Sequence, residues 1–298
     1  MEVNQPRRMF SLRWLVAVSI FFLALLSVAI WFMWPRGTVE VDPYVRDYGT
    51  LEQLTRFSNF RLAYLRANGG EASLDSLQSV RVTGVFESGG QSLPFFSLKR
   101  RPSQSITTIT FPNYELTYVV NGDLIWQRLL VPGAAPLYEV KTGDEAAALA
   151  RMGDFFDPIM RVLLFDEGTI ERLSPSSWMG TPAVKVEFIT KDGDMRAYAY
   201  VEIENMRPLV RVEELAGGQE RKVLYSDYRS VSGMQEPFLV ETFLNDVLES
   251  RVILEKSGVN VGAVASLFQP PQDLVLLQIE EMSPASVNSA AEAPTTSE

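Results

Sequence analysis

The pattern of hydrophobic and polar positions begins with one long apolar run near the start of the chain. From Trp14 to Trp34 no residue is charged, and Ser19 and Ser27 are the polar exceptions. As a helix rising about 1.5 Å per residue, this run would be about 31 Å long, enough to cross the hydrocarbon core of a bilayer. The run therefore predicts a transmembrane helix.

The charges around this run predict its orientation. Arg7, Arg8 and Arg13 precede it, against Glu2 alone. Positive charge stays on the cytoplasmic side, so we expect a cytoplasmic N-terminus and a periplasmic domain after Pro35, held at the inner membrane by a single span.

A cleaved signal peptide is the alternative to a retained anchor. Ser27-Val28-Ala29 has the small-x-small spacing of a cleavage site, which would fall after Ala29. The apolar run nevertheless continues to Trp34, and a signal peptide has a shorter apolar core of about 7 to 15 residues. The pattern favours a retained anchor and leaves cleavage open.

A helical periodicity comes after the anchor. Thr50 to Arg66 predicts an amphipathic helix that opens with a capping box from Thr50 and Gln53 and ends at Asn68-Gly69-Gly70. The residues expected on its buried stripe are Leu51, Leu54, Phe57 or Phe60, Leu62 and Leu65.

From Ser79 onward the period is two, which is typical of β-strands. Turn sequences recur about every ten residues, which favours sequential antiparallel hairpins over parallel units. The clearest are Asn121-Gly122, Lys191-Asp192-Gly193-Asp194, Gly217-Gly218 and Asn245-Asp246.

One helical interlude interrupts the strands. Thr142 and Glu145 form a second capping-box pattern before Glu145 to Met152, and Asp154 to Phe165 continues the helical pattern with a break at Asp157-Pro158. The predicted fold is therefore mainly β (α+β). It is a large curved antiparallel sheet of roughly ten strands, an unclosed β-barrel with a helical lid, preceded by one transmembrane helix.

The amino-acid composition excludes most of the common catalytic mechanisms. The chain has no cysteine and no histidine, which excludes thiol nucleophiles, thiolate zinc sites and imidazole acid–base catalysis. The carboxylate pair Asp154 and Asp157 has nothing else assembled around it, and one of the two is expected to start a helix. Asp192-Gly193-Asp194 lacks the further ligands of a calcium loop and is expected to be a turn. We expect no enzyme, no cofactor and no metal site.

The net charge of the chain limits the classes of partner that we expect. The whole chain has 27 basic and 37 acidic residues. When Arg7, Arg8, Arg13 and Glu2 are left out, the part beyond the anchor has a net charge of −12. Such a charge argues against nucleic acid as a partner. The compact basic cluster Lys99-Arg100-Arg101 could form a surface patch for lipid phosphate or an acidic partner, or simply a solvated strand end before a proline.

Four segments together resemble the LolA/LolB-like superfamily of periplasmic lipoprotein carriers, over about residues 48–274. They share the order and spacing of short motifs on common hairpins: Ala63-Tyr64-Leu65-Arg66-Ala67-Asn68-Gly69-Gly70 followed by Leu74, Leu77, Val80 and Gly84; Asn121-Gly122-Asp123 with Trp126; Tyr225-Ser226-Asp227-Tyr228-Arg229 with Gly233 and Pro237; and Leu267-Phe268-Gln269-Pro270-Pro271.

The resemblance implies an unclosed barrel that shields acyl chains of lipids or lipoproteins. Residues expected to line such a cavity are Phe86, Phe96, Phe111, Tyr118, Trp126, Phe155, Phe156, Ile159, Leu163, Phe188 and Tyr200. The same residue types also fill solid cores, so this alternative stays open. The family's carriers are soluble or lipidated on cysteine, whereas this chain has an apolar anchor. The anchor favours a protein fixed at the inner membrane over a carrier that moves between two membranes.

The resulting organisation has five parts: a cytoplasmic N-terminus (1–13), the signal anchor (14–34), a linker (35–44), a LolA-like binding domain (45–278) and a disordered tail (279–298). We expect it to bind acyl chains in outer-membrane lipoprotein sorting or envelope biogenesis, with the membrane and an inner-membrane protein complex as candidate partners. The alternative is a ligand-free periplasmic docking module.

Overall fold

The computed structural model describes residues 48–190, 196–271 and 274, all of which belong to one compact unit, Tyr44–Glu298. The predicted anchor, the turn at 191–194 and the predicted C-terminal tail lie outside the described residues. Within the part of the chain that is described, no helix has both the length and the hydropathy needed to cross a bilayer.

The described residues form one antiparallel sheet of 13 strands. In chain order, the strands are β1 (Ser79–Ser88), β2 (Gln91–Arg100), β3 (Gln104–Thr110), β4 (Glu115–Asn121), β5 (Leu124–Leu130), β6 (Leu137–Val140), β7 (Gly168–Trp178), β8 (Thr181–Thr190), β9 (Arg196–Glu202), β10 (Pro208–Glu214), β11 (Glu220–Val231), β12 (Met234–Leu244) and β13 (Val247–Val259).

The sheet consists of two meanders joined at one seam. The strand order is β6-β5-β4-β3-β2-β1-β13-β12-β11-β10-β9-β8-β7, so β1 pairs with β13 and the edges are β6 and β7. The two edge strands are not hydrogen-bonded to each other, and the sheet is therefore open. The expected mainly β, unclosed architecture is confirmed, with more strands than the roughly ten predicted.

Two of the additional strands are the edges. β6 has four residues, and β7 contains Pro175 and few alternating apolar positions. Edge strands are typically short or carry proline, since one side of the ladder needs no partner. Their sequences therefore lack the pattern by which central strands are recognised.

The positions of the helices depend on the topology. In chain order they are α1 (Phe57–Ala67), α2 (Glu71–Asp75), α3 (Gly143–Gly153) and α4 (Pro158–Phe165), with short 3₁₀ turns at Gln53–Thr55, Ala216–Gly218 and Ala265–Phe268. The chain must travel from edge strand β6 to edge strand β7, and α3 and α4 make this connection across one face of the sheet. We call this the helical face and the opposite side the outer face.

The first predicted helix is divided at Arg56, whose backbone is extended (φ −86°, ψ 126°). The expected capping box is present: Thr50 N donates to Gln53 Oε1 at 2.8 Å, and Gln53 N donates to Thr50 Oγ1 at 3.3 Å. The break changes the helical phase of the residues after Arg56, so Leu62 is 68% exposed. The buried residues of α1 are instead Phe60, Ala63, Tyr64, Leu65 and Ala67.

The predicted turns that lie in the described region join neighbouring strands. Asn121-Gly122 joins β4 to β5, Gly217-Gly218 joins β10 to β11, and Asn245-Asp246 joins β12 to β13. Asn245 and Asn121 precede residues with positive φ, of 62° at Asp246 and 62° at Gly122. Asparagine, aspartate and glycine tolerate the left-handed backbone that tight hairpins need.

Among the described residues, the buried apolar side chains form three core clusters. The largest packs α1, α2 and α4 on the helical face of β8 and β9, where alternate residues such as Val186 and Ala199 are fully buried. A second, containing Val119 and Trp126, lies on the outer face beneath the C-terminal segment with Phe268. A third joins Leu149 of α3 to β4 and β5.

Candidate functional site

The helical face of β1 to β6 is organised in rows that run across the strands. Directly paired residues of antiparallel strands share a face, so the register defines each row. The first, the covered row, consists of Val80, Lys99, Ser105, Val120 and Ile125. Helix α3 lies over it, with Leu149 packed against Val120 and Ile125.

A polar row lies two residues further along each strand. It runs from β13 through β1 to β6, is polar on every strand except at Val82 of β1, and consists of Ser257, Val82, Ser97, Thr107, Tyr118, Gln127 and Glu139. Ser97 Oγ and Thr107 Oγ1 are hydrogen-bonded at 3.0 Å. Gln127 Nε2 donates to Glu139 Oε2 at 2.5 Å.

An apolar row lies beyond the polar row, and consists of Gly84, Phe95, Ile109, Leu116, Leu129 and Leu137. Phe86 and Leu93 extend it along β1 and β2 toward Val252 and Val240. The large side chains of the apolar row itself are half-buried or exposed, and among the described residues none of them belongs to a core cluster.

The apolar row is therefore an open apolar surface beside a hydrogen-bonding one. It crosses five inter-strand steps of about 4.8 Å, or about 24 Å in all. A surface of this length suits an extended aliphatic chain, because the row has apolar side chains on every strand except at Gly84.

Three of the expected cavity residues lie on this part of the helical face. Phe86 is half-buried beside Leu93. Tyr118 lies in the polar row and also packs against the third core cluster. Phe111 is at the end of β3, where its ring stacks on Tyr114 with centroids 4.3 Å apart.

Five others belong to the main core or pack against it. Phe188, Ile159 and Leu163 are almost fully buried. Phe155 and Phe156 lie between α3 and α4, pack against the main core, and meet edge to face at 4.8 Å. These side chains therefore lie in or against the main core and not in the apolar row.

The remaining three lie on the outer face, opposite the helices. Phe96 and Trp126 pack in the second cluster under the C-terminal segment. Tyr200 is paired with Lys185 and Val210, and its ring is 5.2 Å from that of Trp178. Each lies on the opposite side of its strand from the neighbours that face the helices, a one-residue difference that composition alone does not reveal.

The two helices of the expected lid differ in burial. α4 has four buried residues and is part of the main core, whereas α3 buries only Leu149 and Gly153 among its residues. A Cβ atom added to Gly153 would lie 2.6 Å from Ser105 Oγ. The end of α3 therefore sits directly on the covered row.

The cluster Lys99-Arg100-Arg101 does not form one surface patch. Lys99 Nζ donates to the Asp154 carbonyl at 2.7 Å, while Arg100 Nη1 donates to Gln104 Oε1 at 2.8 Å. The Arg101 guanidinium lies 5.0 Å from the Phe165 ring centroid and donates to the Asp75 carbonyl at 3.0 Å. Alternation along the strand separates Arg100 from Lys99, Arg101 lies beyond the end of β2, and each of the three has an internal partner.

Buried charges cluster where α4 and the α3–α4 loop meet the sheet. Burial lowers the pKa of Lys99, which the nearby carboxylates of Asp154 and Glu236 partly offset. Burial likewise raises the pKa of Asp154, against the opposing charges of Arg161 and Lys99. Asp154 is paired with Arg161, which also binds Glu167 at 2.7 Å.

The carboxylate pair noted in the sequence has structural partners. Asp157 is the N-cap of α4 and accepts from the backbone N–H groups of Ile159 and Met160 at 2.9 and 3.0 Å. Asp154 is held by Arg161. In the described ranges, no group of three or more His, Cys, Asp or Glu residues is arranged to hold a metal ion.

A recess of about 400 Å³ is found at the turn between β1 and β2. Residues Glu87–Ser92 and Leu248–Arg251 line it. None of its lining residues belongs to the polar or apolar row. The recess is therefore separate from the candidate surface.

Comparison with known proteins finds similarity in structure only. No family model matches the chain, and no curated protein sequence matches it. A DUF1329 family protein from Desulfovibrio piger is similar with a TM-score of 0.49 and 12% identity, over 70% of this chain and 96% of that one. The LolA superfamily protein NE2245 from Nitrosomonas europaea is similar with a TM-score of 0.46 and 12% identity, over 65% and 90%.

The complex of Pseudomonas aeruginosa MucA and MucB also contains a similar chain. Its TM-score is 0.21 at 15% identity, over 71% of this chain and 61% of that chain.

The sequence-based selection missed the aliphatic members of the apolar row because it was weighted toward aromatics. Ile109, Leu116 and Leu129 alternate with polar neighbours on three strands joined by short turns. The Asn121-Gly122 turn sets the register of β4 and β5, which brings Leu116 opposite Leu129. Alternation combined with turn length would have identified this part of the row.

Proposed function

We propose that this protein binds acyl chains of lipids or lipoproteins along the apolar row, in a periplasmic domain held at the inner membrane by the apolar segment at Trp14 to Trp34. The observation that carries the proposal is the row itself: half-exposed aliphatic and aromatic side chains, continuous over β2 to β6 and outside the core clusters.

The driving force would be burial of apolar surface. Each methylene removed from water contributes about 0.8 kcal/mol. Contiguous apolar surface on a folded protein commonly marks an interaction site. We propose a binding role and no catalytic one, because the ionisable groups beside the rows are engaged in caps and ion pairs.

Docking of a partner protein is a second candidate, favoured by the exposed edge of the sheet. Leu137 and Tyr138 on edge strand β6 are 64% and 39% exposed. An extended segment of a membrane protein could add a strand there and cover the same apolar row.

A matched pair of variants tests acyl binding. Leu129 and Leu130 are neighbours on β5, both half-buried, with Leu129 in the apolar row and Leu130 opposite Glu115 on the outer face. Leu129→Asn should weaken binding of an uncharged environment-sensitive dye by about tenfold or more, the loss expected for a buried leucine contact. Leu130→Asn should leave dye binding within about twofold.

Dye fluorescence titration of the full chain in a fluorinated surfactant would measure both variants. Native mass spectrometry of the same preparations should show co-purified lipid in the parent and less in Leu129→Asn. If neither dye nor lipid binds, or if the two variants lose binding equally, acyl binding is wrong and the docking function gains support.

A further inference from the structure

The polar row is the feature that the binding of an aliphatic chain leaves unexplained. It runs parallel to the apolar row at a distance of two residues along each strand, about 7 Å. Any acylated molecule lying in the apolar row would have its head group within reach of the polar row. The chemistry of that row therefore bears on which head group fits.

The central part of the polar row consists of uncharged hydrogen-bonding groups. Ser97 and Thr107 are hydrogen-bonded hydroxyls, Tyr118 follows on β4, and Gln127 follows on β5. Hydroxyl and amide groups both donate and accept hydrogen bonds. Burial raises the pKa of Tyr118, which keeps its hydroxyl protonated.

The cations nearest to the polar row already have partners. Lys99, in the covered row, donates to the Asp154 carbonyl and lies close to Glu236. Lys141 is paired with Glu139 at 2.9 Å and with Glu145 at 3.1 Å. An anionic head group would have to compete with the Asp154 carbonyl for Lys99 and with Glu139 and Glu145 for Lys141, and the two glutamates would repel it.

Unused hydrogen-bonding capacity lies at the β13 end of the same row. Ser257 Oγ and Glu236 Oε2 are buried, and within the described part of the chain their candidate hydrogen bond is the contact with each other, which falls outside good geometry. Buried polar atoms are usually well hydrogen-bonded, so this weakly bonded pair has capacity for a further partner. Burial also raises the pKa of Glu236, opposed by the neighbouring Ser257 hydroxyl and by Lys99.

We infer that the polar row selects acyl ligands with an uncharged, hydroxyl-bearing head group, such as a glycerol ester, over ligands that end in a carboxylate or a phosphate. The inference rests on the proposed acyl binding and names the class of ligand for that surface.

Competition between ligands of equal chain length tests the selectivity. The full chain in a fluorinated surfactant, loaded with the uncharged dye, is titrated with 1-dodecanoylglycerol, dodecanoate or dodecyl phosphate. We expect the glycerol ester to displace the dye at a concentration at least about fivefold lower than either anion, the ratio expected for one net hydrogen bond.

Two adjacent threonines provide the control. Thr107 is in the polar row, bonded to Ser97 at 3.0 Å, and Thr108 is on the outer face, bonded to Thr117 at 3.0 Å. Thr107→Val should weaken 1-dodecanoylglycerol by about fivefold and leave dodecanoate unchanged. Thr108→Val should change neither, although it removes an equivalent hydroxyl pair from the same strand.

The outcomes separate this inference from the proposed function. Dye displacement by all three ligands at equal concentrations, or by an anion at the lowest concentration, would overturn the selectivity and retain acyl binding. An equal effect of Thr107→Val and Thr108→Val on the glycerol ester would also overturn it. Failure of every ligand to displace the dye, or of the dye to bind, would overturn both.

Discussion

At the residue scale, Asp157 is by residue type a candidate for acid–base chemistry, but in the structure it has the structural role of a helix cap. Its carboxylate caps α4, and the Tyr64 hydroxyl donates to it at 3.3 Å. Burial raises the pKa of Asp157, opposed by the hydrogen bonds from Met160 and Ile159 and by the charge of Arg211. The sequence predicted that either Asp154 or Asp157 starts a helix, and the structure assigns that position to Asp157, directly before Pro158.

The raised pKa gives the sign of a pH dependence. A carboxyl whose pKa is higher in the folded protein binds more protons when folded, over the interval between the unfolded and the folded pKa. The free energy of unfolding therefore falls as pH rises through that interval. Asp154 and Glu236 have raised pKa values as well and contribute in the same direction.

Two substitutions at Asp157 separate the cap from the charge. Asp157→Asn keeps an oxygen acceptor, so its stability at pH 7 should equal or exceed that of the parent, with a shallower pH dependence. Asp157→Ala should lower the free energy of unfolding by about 1 to 2 kcal/mol through loss of the cap. Chemical denaturation between pH 4.5 and 7.5 measures both. A steeper pH dependence in Asp157→Asn would contradict the assigned pKa direction.

At the scale of elements, α3 shows that a capping-box sequence does not always form the capping hydrogen bonds that it predicts. Thr142 and Glu145 have capping-box spacing, yet the Thr142 side chain makes no capping hydrogen bond and Glu145 pairs with Lys141. Lys141 also pairs with Glu139 at the end of β6, and this ion-pair cluster competes with the start of α3 for the Glu145 carboxylate. The same limit appears in α1, where the extended backbone of Arg56 changes which residues are buried.

Gly153 tests how closely α3 contacts the sheet. In a free helix, Gly153→Ala would stabilise by about 0.5 to 1 kcal/mol. Here the new methyl group would meet Ser105 Oγ at 2.6 Å and Val120 Cγ2 at 3.2 Å, and overpacking costs about 1 to 3 kcal/mol. We expect net destabilisation of about 1 to 2 kcal/mol and faster hydrogen exchange in α3.

The matched control is Ala148→Gly on the exposed side of α3. It should cost about 0.5 to 1 kcal/mol through helix propensity alone, with no change at the covered row. If Gly153→Ala instead stabilises the protein, α3 does not press on the sheet, and the assigned contact is wrong.

At the scale of the whole molecule, the seam between β1 and β13 joins the two meanders. The register shifts between Thr83 and Gly84 at a β-bulge, where the strands approach closely. A Cβ atom on Gly84 would lie 2.0 Å from the Ile253 carbonyl oxygen, which is backbone and has little freedom to move. The glycine is therefore required by the approach of the two strands.

Gly84→Ala should destabilise the seam by about 2 to 4 kcal/mol, because relief of the clash requires the two strands to separate. Gly258→Ala, in the same strand pair opposite Arg81, is the control: its methyl group meets a movable side-chain atom, Val261 Cγ1, at 3.3 Å. It should cost less than about 1 kcal/mol. Thermal unfolding of both variants measures the difference, and equal midpoints would contradict the assigned role of Gly84.

The sequence alone determined the class of fold, most of the strands and the turns that join them. Alternation and turn chemistry are local, and Asn121-Gly122 specifies a hairpin wherever it lies. The tertiary structure decided which alternating positions face the helices. It placed Tyr200 and Trp126 on the outer face and brought Phe95, Ile109, Leu116 and Leu129 into one row. The physical reason is that side chains alternate with period two along each strand, whereas a surface across strands depends on the register of every pair and on the path of α3 and α4 between the two edges.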